Sequence, residues 1–375
     1  MRPVHEVADV LQRNHYRLDE LVTNSWKLRT LYALAACRTP AMGGHIDQCT
    51  NPDCNKIHIS YNSCRNRHCP KCQGHKREEW IRARESELIN APYFHVVFTV
   101  PNELHEVFLQ YPKELYSLLF KVSWSVISDF SSNPKFIGGK TGMIAILHTW
   151  GQNISFHPHL HCVIPGGGIT PQGKWRNSKA KGKFLFPVKA MSKVFRARFA
   201  EELRKFIYLD DNLYRNLFAK KWVVYCKRPF FGPKQVIEYL GRYTHKVAIS
   251  NHRIKSLDNA SVTFSAKDYR KGGKIHSVSL KDEEFIRRFS LHILPKRFIR
   301  IRHYGILSST LKQVVLRELH EELGIVVLEQ KEPIKHGICP YCKKGELVTI
   351  MTFDNRGPPK RFIGIDHKLL IALKK

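Results

Sequence analysis

Residues 142–165 read GMIAILHTWGQNISFHPHLHCVIP, and the reading of this stretch decides the fold. GMIAILHTW (142–150) and HLHCVIP (159–165) are apolar, β-branched and aromatic, whereas GQNISFHP between them is rich in turn formers, so the pair predicts a β-hairpin. Side chains alternate across a strand. His159 and His161 therefore point to one face, while Leu160 and Cys162 point to the other.

The flanks extend the pattern in both directions. Upstream, YFHVVFTV (93–100) reads as a buried strand closed by Pro101, and residues 102–130 as a long amphipathic helical stretch. Downstream, residues 186–209 predict a helix, KKWVVYCK (220–227) a strand, and GPKQVIEYLGRYTHK (232–246) a helix announced by Gly232 and Pro233. Strand, helix, strand, strand, helix, strand is the split βαββαβ arrangement (ferredoxin-like or RRM-like), here with an added helix. The fold class is α+β: a mostly antiparallel sheet with helices on one face and its other face open to a flat ligand such as a nucleic-acid strand. Further out, 261–280 predict a hairpin turning at 271–273, EEFIRRFSLHILP (283–295) a basic helix, 6–36 one or two amphipathic helices, and the residues after 311 another helix. These breaks divide the chain into an N-terminal helical segment (1–36), a small metal-nucleated domain (37–90), a central domain (91–310) and a tail (311–375).

Two imidazoles on one sheet face make half of a divalent metal site, with room for a third ligand and for substrate oxygens. Candidates for that ligand are His157, Gln152 and His148. On the helix of 232–246, Tyr239 and Tyr243 lie four residues apart and share a face, and Lys246 follows three residues later. A phenol with a pKa near 10 is a weak nucleophile, but a metal that polarises a phosphodiester makes its attack feasible, giving a phosphotyrosine and a free 3′ hydroxyl. Taken singly, the His pair fits a polar strand edge and the Tyr pair fits core packing. Arg242, His245 and Lys246 on the same helix make a dry core uncomfortable.

FHVVFTVP, HPHLHCVIPGGG and YLGRYTHK, in that order on a βαββαβ frame, resemble the three motifs of rolling-circle HUH endonucleases, and the YxxxYxxK spacing resembles their two-tyrosine branch. NSCRNRHCPKCQ and FIRRFSLHILPKRFIRIRHYGILS are similar to transposases of the insertion-sequence-ninety-one family, and the resemblance spans residues 10–345. It implies an HUH catalytic domain in which His159 and His161 hold Mg2+ or Mn2+ on the scissile phosphate, with Tyr239 and Tyr243 as nucleophiles. One tyrosine would cleave the first element end and keep the 5′ phosphate while the other opens a second strand, without ATP. Lys246 would neutralise charge near the phosphate. The implied partner is single-stranded DNA at element ends and target; a monomer and a dimer both stay open. The runner-up is a replication initiator or relaxase with the same chemistry, and the contrasting class is a zinc-dependent DNA-binding protein whose His and Tyr residues are structural.

Tetrahedral zinc takes two short-range cysteine pairs, each closing a small loop, and supplies folding energy that a short segment lacks. The first choice of Zn2+ ligands is Cys49, Cys54, Cys69 and Cys72. Cys64, His68, His58 and His45 remain over, enough for a second ion or a different four. Cys339 and Cys342 form a CPYC knuckle that could borrow His336 or a ligand from the N-terminal cluster. Cys37, Cys162 and Cys226 read as ordinary buried thiols.

Composition agrees with a polyanion partner. The 375 residues carry 62 Lys and Arg against 32 Asp and Glu, a formal charge of +30, and 43% apolar side chains. The basic residues are spread along the chain, which favours a folded basic surface over a polybasic anchor. Candidate DNA-binding residues are Arg196 and Arg198 in FRARF, Arg287 and Arg288 in FIRRF, and Arg242, Arg300 and Arg302; in the two aromatic-flanked motifs the rings could stack bases. No apolar run reaches the roughly 18 residues that span a bilayer, and MRPVHEVADVLQRNHY lacks the apolar centre of a signal peptide, so no membrane partner is expected. The expected location is the bacterial cytoplasm, on the nucleoid when DNA is bound. FIGGKTG (136–142) is no phosphate loop, because Pro134 stands where the pattern needs Gly.

Overall fold

The computed structural model describes residues 3–179, 185–227, 235–236, 241, 246–268, 271–325, 337–359 and 362, with backbone alone at 74–77. The chain divides into two compact units, one of 75–248 with 294–328, the other of 1–74, 249–293 and 329–375.

The first unit is built on five strands and the helices between them: β1 (Tyr93–Thr99), α1 (His105–Gln110), α2 (Pro112–Ser132), β2 (Gly142–Trp150), β3 (Phe156–Pro165), α3 (Val188–Phe206), α4 (Asp211–Ala219), β4 (Val224–Cys226), β5 (Ile301–Gly305) and α5 (Lys312–Leu323). The sheet runs β5-β2-β3-β1-β4, and every neighbouring pair is antiparallel. Without β5 this is the strand order that a split βαββαβ unit demands, so the α+β reading holds. The 142–150 strand falls where its apolar, β-branched run put it. The helical stretch after β1 is broken at Tyr111, because Pro112 supplies no N–H and starts a new helix at its first position. The expected sequence did not contain α4 or β5. IRHYG, preceded by another arginine at 300, looks like polar surface, yet it pairs with Gly142–Ile146 at the sheet edge.

Register sorts the two faces. Phe98 lies opposite Leu160 and Val96 opposite Cys162, and all four are completely buried. α3 packs on this face, with the Phe195 ring 5.0 Å from Phe98, and α2 packs on α3. On the other face Ile144, Ile146 and Val163 join Leu88, Ile89, Val236, Leu316 and Leu319 in one apolar cluster. The expected open sheet face is therefore corrected, because apolar side chains of α5 and of the segment before β1 cover part of it. At the remaining end of that face stand His148, His159 and His161.

The second unit holds two three-stranded sheets. In one, Gly44–Cys49 lies between Ile57–Tyr61 and Leu347–Phe353; in the other, Ser261–Asp268 lies between Ile254–Asp258 and Lys274–Lys281. The helix Asp282–Leu291 belongs with Val7–Arg13 and Ser25–Ala35, so 249–293 groups with the N-terminal residues rather than with the sheet of the first unit. A buried carboxylate carries that association: Asp282 accepts from Arg13 Nε at 2.6 Å and from Asn14 Nδ2 at 2.7 Å, which satisfies its charge.

Candidate active site and metal centres

The hairpin register creates the histidine group. His148 on β2 lies directly opposite His159 on β3, and His161 follows two residues along the same face. The three offer ring nitrogens within 4.8 Å of one another, with His159 Nε2 3.1 Å from His161 Nε2. Of the three candidates His148, Gln152 and His157, His148 is the one whose ring nitrogen gathers with those of His159 and His161. His157 contributes its carbonyl oxygen instead, 2.7 Å from His159 Nδ1; that contact puts the proton on Nδ1 and leaves Nε2 as a lone pair facing the group. Gln152 sits in the turn between the two strands. Trp150 stacks on the His148 ring at 4.7 Å.

A residue that sequence reading passed over completes the arrangement. His95 on β1 places Nε2 2.9 Å from His161 Nδ1, and the two rings stack at 5.1 Å. A hydrogen bond at Nδ1 fixes the ring plane and tautomer of His161 so that its Nε2 turns toward His159. The available signal was parity: His95 stands two residues before Val97, the cross-strand partner of His161.

Burial holds these rings neutral. His95 is pushed down to about 3 and His159 to about 4, and His161 well below its ordinary value, in each case chiefly by desolvation. The ammonium of Lys246 pushes His159 and His161 the same way. His148 and His161 are 3% and 8% exposed, so a polar strand edge does not describe them. The donor set fits a cation. Neutral imidazoles present lone pairs, and cis ligands about 2.1 Å from an octahedral ion lie about 3.0 Å apart, close to the separation of the two Nε2 atoms.

Tyr239, Tyr243 and Arg242 lie outside the described residues. Their neighbours do not: Val236 packs in the apolar cluster on the histidine face, and the Lys246 carbonyl accepts from Arg300 Nη1 at 3.0 Å. The other arginines singled out from sequence have partners within the protein. Arg196 donates to the carbonyls of Phe218 and Lys220, Arg198 pairs with Asp129, Arg287 and Arg288 pair with Glu284, and Arg302 lies over the Phe120 and Phe298 rings. Phe195, Phe199, Phe285 and Phe289 are core residues. FRARF and FIRRF therefore offer no aromatic platform for bases, which corrects the stacking expectation.

The cysteines sort into fours differently from the first choice. Cys69 and Cys72 group with Cys64 and with Cys37, whereas Cys49 and Cys54 group with Cys339 and Cys342. The set Cys49–Cys54–Cys69–Cys72 is thus not brought together, because the chain folds Cys49 and Cys54 onto the far end of the sequence. In the first group the sulfurs of Cys37 and Cys72, Cys37 and Cys69, and Cys64 and Cys72 are 3.6, 3.6 and 3.7 Å apart. In the sequence Cys37 stands alone, 27 residues before Cys64, and looks like an ordinary buried thiol, yet the fold places it in this group. Hydrogen bonds from neighbouring thiols, Cys64 first, pull Cys37 down to about 7, and bonds from Cys37, Cys64 and Cys69 pull Cys72 down too. His68 is buried beside this group without being one of the four; His45 faces Asp47, and His58 Nδ1 lies 2.9 Å from Ser60 Oγ.

With the geometry in place, comparison with known proteins is direct. A family described as "Putative transposase" matches residues 142–314, and one described as "Transposase zinc-binding domain" matches 10–100. "Putative transposase y4qJ" of Sinorhizobium fredii is 38% identical, over 95% of this chain and 97% of that protein. The chain belongs to the insertion-sequence-ninety-one family of transposases. The transposase for insertion sequence element IS801 of Pseudomonas savastanoi pv. phaseolicola is 25% identical, over 86% of this chain and 80% of that one. Among solved structures, conjugative relaxase TrwC in complex with oriT DNA matches at 14% identity and a TM-score of 0.23, covering 62% of this transposase and 72% of that chain. The family's zinc-binding domain includes Cys64, Cys69 and Cys72 with Cys37, the tetrathiol group described above. Among the described residues no helix of this transposase is long and apolar enough to cross a membrane.

Proposed function

We propose that this transposase cleaves and rejoins single-stranded DNA at the ends of its element through 5′-phosphotyrosine intermediates. The observation that carries the reading is the trio His148, His159 and His161, three imidazoles that converge from one hairpin, the first and last of them buried. These residues would hold a divalent ion, and His95 would keep His161 turned toward it. When bound, the ion polarises a phosphodiester and stabilises charge on its oxygens. A three-imidazole set is softer than the oxygen shell that magnesium prefers, so manganese is the better match.

The residues of the chain do the rest. A hydroxyl of Tyr239 or Tyr243 attacks phosphorus; the P–O3′ bond breaks, the new bond joins the tyrosine oxygen to the 5′ phosphate, and the leaving oxygen takes up a proton as a 3′ hydroxyl. Reversal by another 3′ hydroxyl rejoins the strand without nucleotide hydrolysis. Val236 and Lys246 bracket the tyrosine segment, one packed on the histidine face and the other charged beside His159 and His161, which supports the same assignment. Lys246 offsets phosphate charge. Zn2+ in the Cys37–Cys64–Cys69–Cys72 group is the structural ion of this reading.

The test uses labelled single-stranded element-end DNA with the full-length protein and manganese, resolved under denaturing conditions. A covalent adduct is expected, lost in the Tyr239→Phe, Tyr243→Phe double variant while DNA retardation persists. Retardation with no adduct under manganese or magnesium would leave a DNA-binding protein and overturn the proposal.

A further inference from the structure

The second group of cysteines has no role in the chemistry above. Two of its members, Cys339 and Cys342, lie outside the residues matched by the zinc-binding family. We infer that Cys49, Cys54, Cys339 and Cys342 form a second tetrathiolate zinc centre, which fastens the segment 337–353 to the strand Gly44–Cys49.

Four observations converge on it. First, the sulfur spacing is that of a metal polyhedron: Cys49 Sγ is 3.7 Å from Cys342 Sγ, Cys54 Sγ is 3.8 Å from Cys339 Sγ, and all four lie within 4.8 Å of one another. Sulfurs about 2.3 Å from a tetrahedral ion stand about 3.8 Å apart, whereas a disulfide needs about 2.05 Å. The residues so united are 293 and 285 apart in sequence, which chance adjacency of small buried thiols does not explain.

Second, CPYCKKG folds as a metal knuckle. Cys339 N–H donates to the Gly345 carbonyl at 2.8 Å, Lys343 N–H donates to the Cys339 carbonyl at 2.9 Å with Lys343 at φ 56°, and Gly345 N–H points at Cys342 Sγ at 3.4 Å. An N–H aimed at sulfur stabilises thiolate over thiol. Third, Gly345 is a cradle. A Cβ there would sit 2.5 Å from Cys49 Sγ and 2.8 Å from the Asn51 backbone nitrogen, so glycine is what lets the two cysteine loops close on each other.

Fourth, the attached strand is paired by its backbone but buries little apolar surface. Leu347–Phe353 extends the sheet beside Gly44–Cys49, yet Val348 is 51% and Ile350 45% exposed, and Thr349 Oγ1 to Asp47 Oδ1 at 2.7 Å is its side-chain tie to the neighbour strand. A strand that buries so little apolar surface does not offset its own ordering entropy, and a metal at its start can.

Cobalt(II) alone is the probe, titrated into metal-free full-length protein under reducing conditions and read from the thiolate-to-cobalt charge-transfer absorbance, to which imidazole sites add nothing. Wild type is expected to saturate this absorbance at two equivalents of cobalt per chain. The Cys339→Ser, Cys342→Ser variant should halve the amplitude and saturate at one. Gly345→Ala, which keeps every thiol, should weaken the affinity of one of the two equivalents at least tenfold. Saturation of wild type at one equivalent overturns the inference without recourse to any variant, and so does full wild-type amplitude in the double variant.

Discussion

Strand β3 of the first unit and the strand Leu347–Phe353 of the second are both antiparallel strands, and they are held by opposite means. In β3, Leu160, Cys162, Val163 and Ile164 are completely buried, and both faces of the sheet are packed. In Leu347–Phe353, most side chains face solvent, and the fixed point is a pair of cysteines just before the strand begins. Where apolar area is available, the hydrophobic effect orders the chain; where it is scarce, soft side chains and a metal take over. The difference also decides what each region can do. A packed sheet can keep the imidazoles of His95, His159 and His161 neutral, which a thiol-pinned surface sheet cannot.

Metal removal is the most severe way to test this contrast. Stripping zinc with a chelator under reducing conditions should raise hydrogen exchange throughout 44–61 and 347–353, since structural zinc is worth on the order of 10 kcal/mol to small domains. Amides of β2 and β3 should keep their protection; an equal loss there would abolish the distinction.

Acidification strikes the other region. The folded values of His95, His159 and His161 lie below an unfolded value of 6.5, so the unfolded chain binds more protons at low pH. The stability associated with these rings is complete above pH 6.5 and is lost as pH falls from there toward about 4. Between pH 6.5 and 5 the expected loss is about 2 kcal/mol for each ring that stays neutral, read from denaturant midpoints. A pH-independent midpoint over that interval would mean that the rings are not held neutral.

Much of this was legible in the sequence, for reasons that can be named. The apolar runs in 142–165 gave both strands, and the alternation of His159, Leu160, His161 and Cys162 gave the faces of the second, because successive side chains of a strand point to opposite sides. β5 was not legible: IRIRHYG carries arginines that look like surface, and Arg302 lays its guanidinium over the Phe120 and Phe298 rings in a way that no local pattern reveals. His95 was hidden inside an apolar run, where it looks like one more strand residue. The cysteine partition was half legible: the CPYC knuckle could be matched with the N-terminal cluster, but which cysteines it takes, and the part played by a lone Cys37, emerge only through tertiary folding.

Two substitutions sharpen the comparison at smaller scale. Leu160→Ala removes a side chain of zero exposure between two packed layers and should cost about 3 kcal/mol, seen as a lower denaturant midpoint. Val348→Thr, on a strand residue that is half exposed, should change stability by less than about 0.5 kcal/mol. Similar penalties at the two positions would mean that exposure does not separate the two strands.

The meeting of Cys49 and Cys54 with Cys339 and Cys342 carries a consequence for biosynthesis. At roughly 5 to 20 residues per second, a ribosome needs on the order of 15 to 60 seconds to travel the 293 residues that separate Cys49 from Cys342. Throughout that interval the early thiols stand without their late partners, exposed to oxidants and to stray ions. A message cut short or a stalled ribosome yields a chain whose first sheet never receives the strand Leu347–Phe353, so completion of that sheet reports that translation has passed this strand.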